Sequence, residues 1–278
     1  MPQDFKAGFF KTLWILKDYL SAIVVGGGWV PLIYYHYLVA DKSRESIRTR
    51  DIDLFVDIKV PIAGGKSVDR LLLDAGFKPT FKSASIPPVI HYEGAIDGEG
   101  VEIEFLTDQR GASDDVVIEV QKGLYAEALR FASIPTSHAI EVVIDDFWIG
   151  GEYHPLKIKV PSPEAYVFHK GLIFERRKSK EKSAKDLYYI FDILANCPEI
   201  KERIIRGLIR FEEVYPGWFS RFSKNIQKKF SDLTDDGILM ISSQRPASAF
   251  PKLTDEQFRQ YILGIFHELM EGLSTVRH

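Results

Sequence analysis

With 278 residues, 45% of them hydrophobic, the chain can bury a real core in one large domain or two modest ones, and it is a folded globular protein. Its 36 Lys and Arg against 39 Asp and Glu leave a formal net charge of -3, so no global positive field points to nucleic acid and any polyanion must meet a local basic patch. The one cysteine, Cys197, excludes an internal disulfide and a thiolate zinc cluster; with no bilayer-length apolar run and no signal-peptide pattern, a reducing, cytoplasmic setting away from membrane is expected.

Along the chain, Phe5, Phe9, Leu13, Leu16 and Leu20 recur every three or four positions and predict an amphipathic helix from Asp4 to about Leu20, its stripe turned to the core. Ala22 to Val25 reads as a short extended piece entering Gly26-Gly27-Gly28, and Trp29 to Leu38 resumes a helical pattern. A polar stretch from Asp41 to Arg50 then delivers the chain to Asp51–Asp57, where acids and apolar residues alternate with period two, Phe55 excepted, so a strand is expected. After a 61–65 loop, Val68 to Ala75 predicts a helix with Gly76 as its C-cap. His91 to Ala95 and Val101 to Leu106 flank Asp97-Gly98 as a hairpin, and Ala139 to Ile149 with Leu156 to Val160 resemble a second one around Gly150-Gly151.

At Pro161-Ser-Pro-Glu164 the regime changes to helix, with Ser162 as cap and Pro163 in the first turn. Helices are expected over Glu164–Phe174, Ala184–Leu194, Ile200–Glu213 and Asp255–Gly272, with loops near Pro216 and from Gly237 to Pro251. The organisation predicted is a mixed domain over 1–160 and a mainly helical domain over 161–278. The fold class is α+β (α/β), a mixed sheet with flanking helices plus the helical domain.

The informative segment is Gly27-Gly28-Trp29, a helix, then Arg48-Thr49-Arg50-Asp51-Ile52-Asp53-Leu54. Aspartates two apart on a strand project from one face, where their carboxylates can share hard divalent cations; one ion would bind a triphosphate and another would activate an attacking hydroxyl. Glycines at the start of the next helix let backbone N–H groups approach phosphate oxygens. In Val101-Glu-Ile-Glu-Phe-Leu106 the alternation puts Glu102 and Glu104 on one face, so either can serve as a third carboxylate. The histidines His36, His91, His138, His154 and His169 form no recognisable metal cluster, and Gly65-Lys66-Ser67 lacks the first glycine of a P-loop because Val60 stands there.

Gly27, Gly28, Asp51 and Asp53 in this order resemble the signature of the DNA polymerase beta-like nucleotidyltransferase superfamily, and Gly-Gly-Trp followed by Arg-x-x-Asp-Ile-Asp-Leu is similar to its minimal prokaryotic branch, with antibiotic nucleotidyltransferases and AbiEii-type toxins. The interval from Gly28 to Asp51 is longer than usual there, and Asp41 to Ser46 reads as a loop insertion. The resemblance implies a nucleoside triphosphate such as ATP as substrate, two Mg2+ ions with Mn2+ as the alternative, metal ligands Asp51, Asp53 and Glu104, and a phosphate cradle at Gly27 and Gly28. A second resemblance, to AbiEii-type toxins, runs from Pro163–Lys170 to Lys185–Asp192. It implies that Lys170 neutralises triphosphate charge and that Asp186 orients Lys170 or acts as a base.

Between these two residues, Arg176 to Lys185 is the strongest basic run, either a solvated loop or an edge that holds the phosphates of an RNA acceptor such as a tRNA. A toxin would also imply a cognate antitoxin as partner. The alternatives are a small-molecule, antibiotic-type acceptor and a noncatalytic nucleotide-binding module.

Overall fold

A computed structural model of the chain describes residues 5–47, 49–81, 90–109 and 117–275. Helix α1 (Phe5–Ile15) runs into a 3-10 turn and strand β1 (Ile23–Val25), and α2 (Trp29–Ile33) continues as a π-helical turn, Tyr34–Leu38. Then follow β2 (Asp51–Val56), α3 (Val68–Asp74), β3 (Lys78–Phe81), β4 (Ile90–Ile96), β5 (Glu99–Asp108), β6 (Val117–Gln121), β7 (Leu124–Leu129) and α4 (Ser133–Ser137). Strands β8 (Ala139–Ile144), β9 (Trp148–Ile149), β10 (Glu152–Tyr153) and β11 (Leu156–Pro161) precede the helices α5 (Pro163–Ile173), α6 (Lys180–Asn196), α7 (Pro198–Val214), α8 (Pro216–Lys229), α9 (Asp236–Ser243) and α10 (Asp255–Thr275). This is a mixed α/β architecture around a central mixed sheet.

The chain divides into two compact units, Met1–Ile33 with Arg48–Ser162, and Tyr34–Ile47 with Pro163–His278. In the first, the sheet order is β3-β4-β5-β2-β1-β11-β8, with β7 joining β5 and β6 joining β7. The pairs β2–β5 and β1–β11 are parallel, while β1–β2, β4–β5 and β11–β8 are antiparallel. One edge of the long β5 is shared: β4 takes Glu99–Glu104 and β7 takes Leu106–Asp108. The stripe is buried at Phe9 and Leu13 on α1 and at Leu16 just beyond its end, and Phe9 stacks on Trp29 with ring centroids 4.1 Å apart.

In the second unit an aromatic core joins the helices: Phe168 of α5 meets Phe211 of α7 at 5.0 Å and Phe222 of α8 at 5.4 Å, and Phe230 stacks on Phe266 of α10. The segment Tyr34–Ile47 belongs here, because Tyr34 packs edge-on against Tyr166 at 6.0 Å and Arg44 pairs with Glu199 at 3.1 Å.

Several elements depart from the sequence reading. The expected hairpin at Gly150-Gly151 exists as the β8–β11 pair, and the glycines turn a separate two-stranded ribbon, β9–β10, nested between its arms. The β6–β7 hairpin was not anticipated; its turn is Lys122-Gly123, with Gly123 at φ +81, between two alternating stretches. Helices α8 and α9 replace expected loops. Pro216 begins α8, where its missing N–H costs nothing, and Phe219, Phe222 and Ile226 supply a helical buried stripe. The start expected at Asp4, and Arg48, lie outside the described residues.

Helix α3 shows how local chemistry sets an element's ends. Ser67 accepts a hydrogen bond from the Arg70 N–H, and at the other end Gly76 N–H donates to the Leu73 carbonyl and Phe77 N–H to that of Leu72, both at 3.0 Å, so Ala75 is the C-cap and Gly76 the residue beyond it. Gly76 has φ +89 and open space where a Cβ would stand, so an added methyl meets only backbone strain. Gly76→Ala should lower stability by about 1 kcal/mol, read as a lower urea midpoint at unchanged slope; an unchanged midpoint would remove the strain argument.

Candidate active site

Strand β2 lies parallel to β5 with Asp51 beside Glu102 and Asp53 beside Glu104. Alternation puts these four carboxylates on one face, while Ile52, Leu54, Ile103 and Phe105 are buried on the other. The acidic face does not run the length of the strands. At Phe55 it turns apolar, where Val24, Phe55, Leu106 and Ala132 form a small core, and this accounts for the break in alternation at Phe55. The acids therefore occupy the end of β2 where the chain enters the sheet.

The glycine turn is held against this end. Gly26 N–H donates to the Asp53 carbonyl at 2.7 Å. Gly27 has φ +64, and a Cβ there would collide with the Asp53 carboxylate, so both the turn and the close approach require glycine. Helix α2 begins two residues later at Trp29. The structure thus brings Gly27 and Asp53 together, with Asp51 and Glu104 as their neighbours in the strand register.

Strand β4 extends the same face, pairing His91 with Glu104 and Glu93 with Glu102. His91 Nε2 lies 2.8 Å from Glu93 and 3.6 Å from Glu102. Among the described residues, one His/Cys/Asp/Glu group brings three ligand atoms within 4.8 Å of one another, and it is His91, Glu93 and Glu102. The sequence reading finds no recognisable metal cluster among the histidines; in the structure His91 meets two glutamates instead of another histidine. Each strand taken alone hides the trio, since Glu102 comes from β5 and meets the other two only through strand register. Asp51, Asp53 and Glu104 share the face without closing to that spacing.

In the helical unit, α5 and α6 bring Lys170 and Asp186 together. Lys170 Nζ donates to Asp186 Oδ1 at 2.5 Å and Arg177 Nε donates to Oδ2 at 2.7 Å. Lys170 is 5% exposed and Asp186 2%, so neither is a surface group. Burial alone would raise the Asp186 carboxyl, but the charges of Lys170 and Arg177 outweigh it and hold the group below the ordinary range. The ammonium also lies over the Tyr166 and Tyr189 rings. Neighbouring His169 is a packing residue; burial, then Lys170 and Arg177, push its pKa down to about 3, so the ring is neutral. The basic run starts at the turn after α5 and ends in α6, whose N-cap is Ser179, with Lys180 and Lys182 exposed.

A family model described as Nucleotidyltransferase matches residues 18–199, more than half of the chain. The chain belongs to this nucleotidyltransferase family. A solved structure, an antigenic nucleotidyltransferase-like protein from Paracoccidioides brasiliensis, is similar at 18% identity and a TM-score of 0.37, over 79% of this chain and 93% of that one. No curated protein matches the chain in sequence. Among the described residues, no helix is long and apolar enough to cross a membrane. The match to the nucleotidyltransferase family spans the glycine turn, the acidic face and the Lys170–Asp186 pair, and it ends at the start of α7.

Two outcomes follow from the geometry of this nucleotidyltransferase. Gly27→Ala must displace the Asp53 carboxylate or the turn, so stability should fall by about 1–2 kcal/mol, and a crystal structure of the variant should show Asp53 moved; an unmoved Asp53 would contradict the close approach. Asp186→Ala leaves Lys170 buried without its carboxylate and should cost about 3–5 kcal/mol near neutral pH. In the native chain that contribution is complete above about pH 4, where an unfolded aspartate is ionised, and it is lost as pH falls through the depressed folded value. Urea unfolding should therefore show the gap between native and variant narrowing below pH 4, and a gap independent of pH would rule out the ionic account.

Proposed function

We propose that the chain transfers a nucleoside monophosphate from a nucleoside triphosphate to an acceptor hydroxyl, releasing pyrophosphate, at the face formed by β2 and β5. The observation that carries this reading is the seat of Gly27 against Asp53, with Asp51 and Glu104 in register beside it. An all-oxygen donor set of this kind fits hard divalent ions, Mg2+ or Mn2+. Asp51, Asp53 and Glu104 would hold them, and such ions supply charge neutralisation at the polyphosphate and a lowered pKa at the acceptor hydroxyl.

The chain's own groups do the positioning. Gly27 and Gly28 present backbone without side chains, which lets phosphate oxygens come close to N–H groups beside the carboxylates. The apolar cluster at Phe55 and Leu106 bounds the acidic face on one side. Asp186, with both oxygens committed to cations and its pKa lowered, is suited to position Lys170 and poorly suited to accept a proton. A role for Lys170 in offsetting triphosphate charge rests on the resemblance of the Pro163–Lys170 motif.

The acceptor we propose is RNA of tRNA size, which the exposed lysines at the start of α6 favour over a cationic small molecule. An AbiEii-type toxin role with a cognate antitoxin rests on the resemblance of the two sequence motifs.

Incubation with each labelled triphosphate, Mg2+ and total RNA should label tRNA-sized species. Chelation should abolish the label, and Asp51→Asn or Asp53→Asn should lower it by more than about 100-fold, beyond the usual effect of residues that only support a metal ligand. Equal labelling by native and variant proteins would defeat the assignment, and label confined to a small molecule would replace the RNA acceptor with an antibiotic-type one.

A further inference from the structure

The acidic face carries more ligands than nucleotidyl transfer uses, and one of them is a nitrogen. We propose that His91, Glu93 and Glu102 form a separate binding site for a divalent transition-metal ion, of the Zn2+ or Mn2+ class, beside the carboxylates assigned to transfer. The site itself does not depend on the proposed function; its consequence does, since with Glu102 committed here, Glu104 is left as the third carboxylate of that reading.

The geometry is built by the β4–β5 hairpin. His91 and Glu93 stand two residues apart on β4 and so share a face, and Glu102 is paired directly with Glu93 across the ladder. Around a tetrahedral ion, ligand atoms at the usual zinc distances lie about 3.3 Å from one another. The Nε2 separations of 2.8 Å and 3.6 Å bracket that value, and the three ligand atoms already lie within 4.8 Å of one another. No strand movement is needed to seat an ion, only rotation of two carboxylates.

The imidazole is fixed and the site is open. His91 is 4% exposed, and its Nδ1 is buried with no hydrogen-bond partner among the described residues, so Nε2 is the nitrogen that reaches polar groups, and it is aimed at the two carboxylates. The Glu93 side chain is 55% exposed, which leaves a path for the ion and room for water as the remaining ligand. An imidazole with two carboxylates favours Zn2+, Mn2+ or Co2+ over Mg2+, which prefers oxygen donors. Two sites on one sheet face would thus sort ions by ligand chemistry.

The test uses the full-length protein, stripped with a chelator and titrated calorimetrically with Zn2+ in excess Mg2+, with Co2+ absorption as a check on a nitrogen ligand. The native chain should bind one equivalent of Zn2+. His91→Ala should weaken binding by more than about 100-fold and Glu93→Gln by at least about 10-fold, whereas Asp53→Asn should bind like the native chain. Because Glu93 is exposed, its variant keeps the test valid should His91→Ala fail to fold. Equal Zn2+ affinity in the native chain and Glu93→Gln overturns the site, as does loss of binding in Asp53→Asn, which would put the ion among the transfer carboxylates. Absence of nucleotidyl transfer with Zn2+ binding intact would sink the proposed function and leave this site standing.

Discussion

The parallel pairing of β2 with β5 is the constraint on which the acidic face depends. A parallel ladder places residues side by side at constant spacing, so two acids in each strand become a square of four, Asp51 and Asp53 against Glu102 and Glu104. A slip of one residue in either strand would turn its acids to the opposite face and expose its apolar residues instead, Ile52 and Leu54 in β2 or Ile103 and Phe105 in β5. Each of those four residues contributes burial worth roughly 1.5–3 kcal/mol, so the hydrophobic face locks the register that the polar face uses. The core and the site are two sides of one pairing.

That arrangement gathers carboxylates on one face, and backbone placement brings the glycine turn against them. Gly27 lets the β1–α2 turn approach Asp53 more closely than any other residue would allow, and the Gly26 N–H fixes the turn to the Asp53 carbonyl. A few residues along the same strand, Phe55 and Leu106 close the face with apolar groups. Small residues, carboxylates and an apolar cluster thus occur within one strand's length.

The helical unit treats two buried aspartates in opposite ways, and the contrast shows what a partner's charge does. Asp186 accepts from Lys170 and Arg177 and its carboxyl is held low despite burial. Asp192, two turns later on α6, accepts from the neutral Asn196 amide at 2.8 Å, and burial pushes its pKa up to about 6. A cation turns a buried acid into a fixed anion, and an amide leaves it close to titrating. Lys170 and Asp186 are therefore a locked pair, and Asp192 is not interchangeable with Asp186 although both lie on one helix.

Much of this was legible in the sequence wherever the signal is local. Period two marked β2 and β5, glycines marked the turn before α2, Asp97-Gly98 marked the β4–β5 hairpin, and Pro163 marked the start of α5. Strand β3 and helix α9 are short and exposed on much of their surface, so their periodicity spans too few residues to stand out, whereas β6 and β7 alternate as β2 does and the signal that reveals them is the Lys122-Gly123 turn. His91 shows the deeper limit. Nothing near it in the chain marks it as a ligand, because Glu93 reads as one more exposed acid and Glu102 stands nine residues or more away. What makes the three residues a group is the hairpin register, which sets Glu93 opposite Glu102 only if Asp97-Gly98 is a two-residue turn. A turn one residue longer would shift the pairing and send His91 to face a different neighbour. The site is thus encoded by turn geometry, at a distance from every residue that would bind the ion.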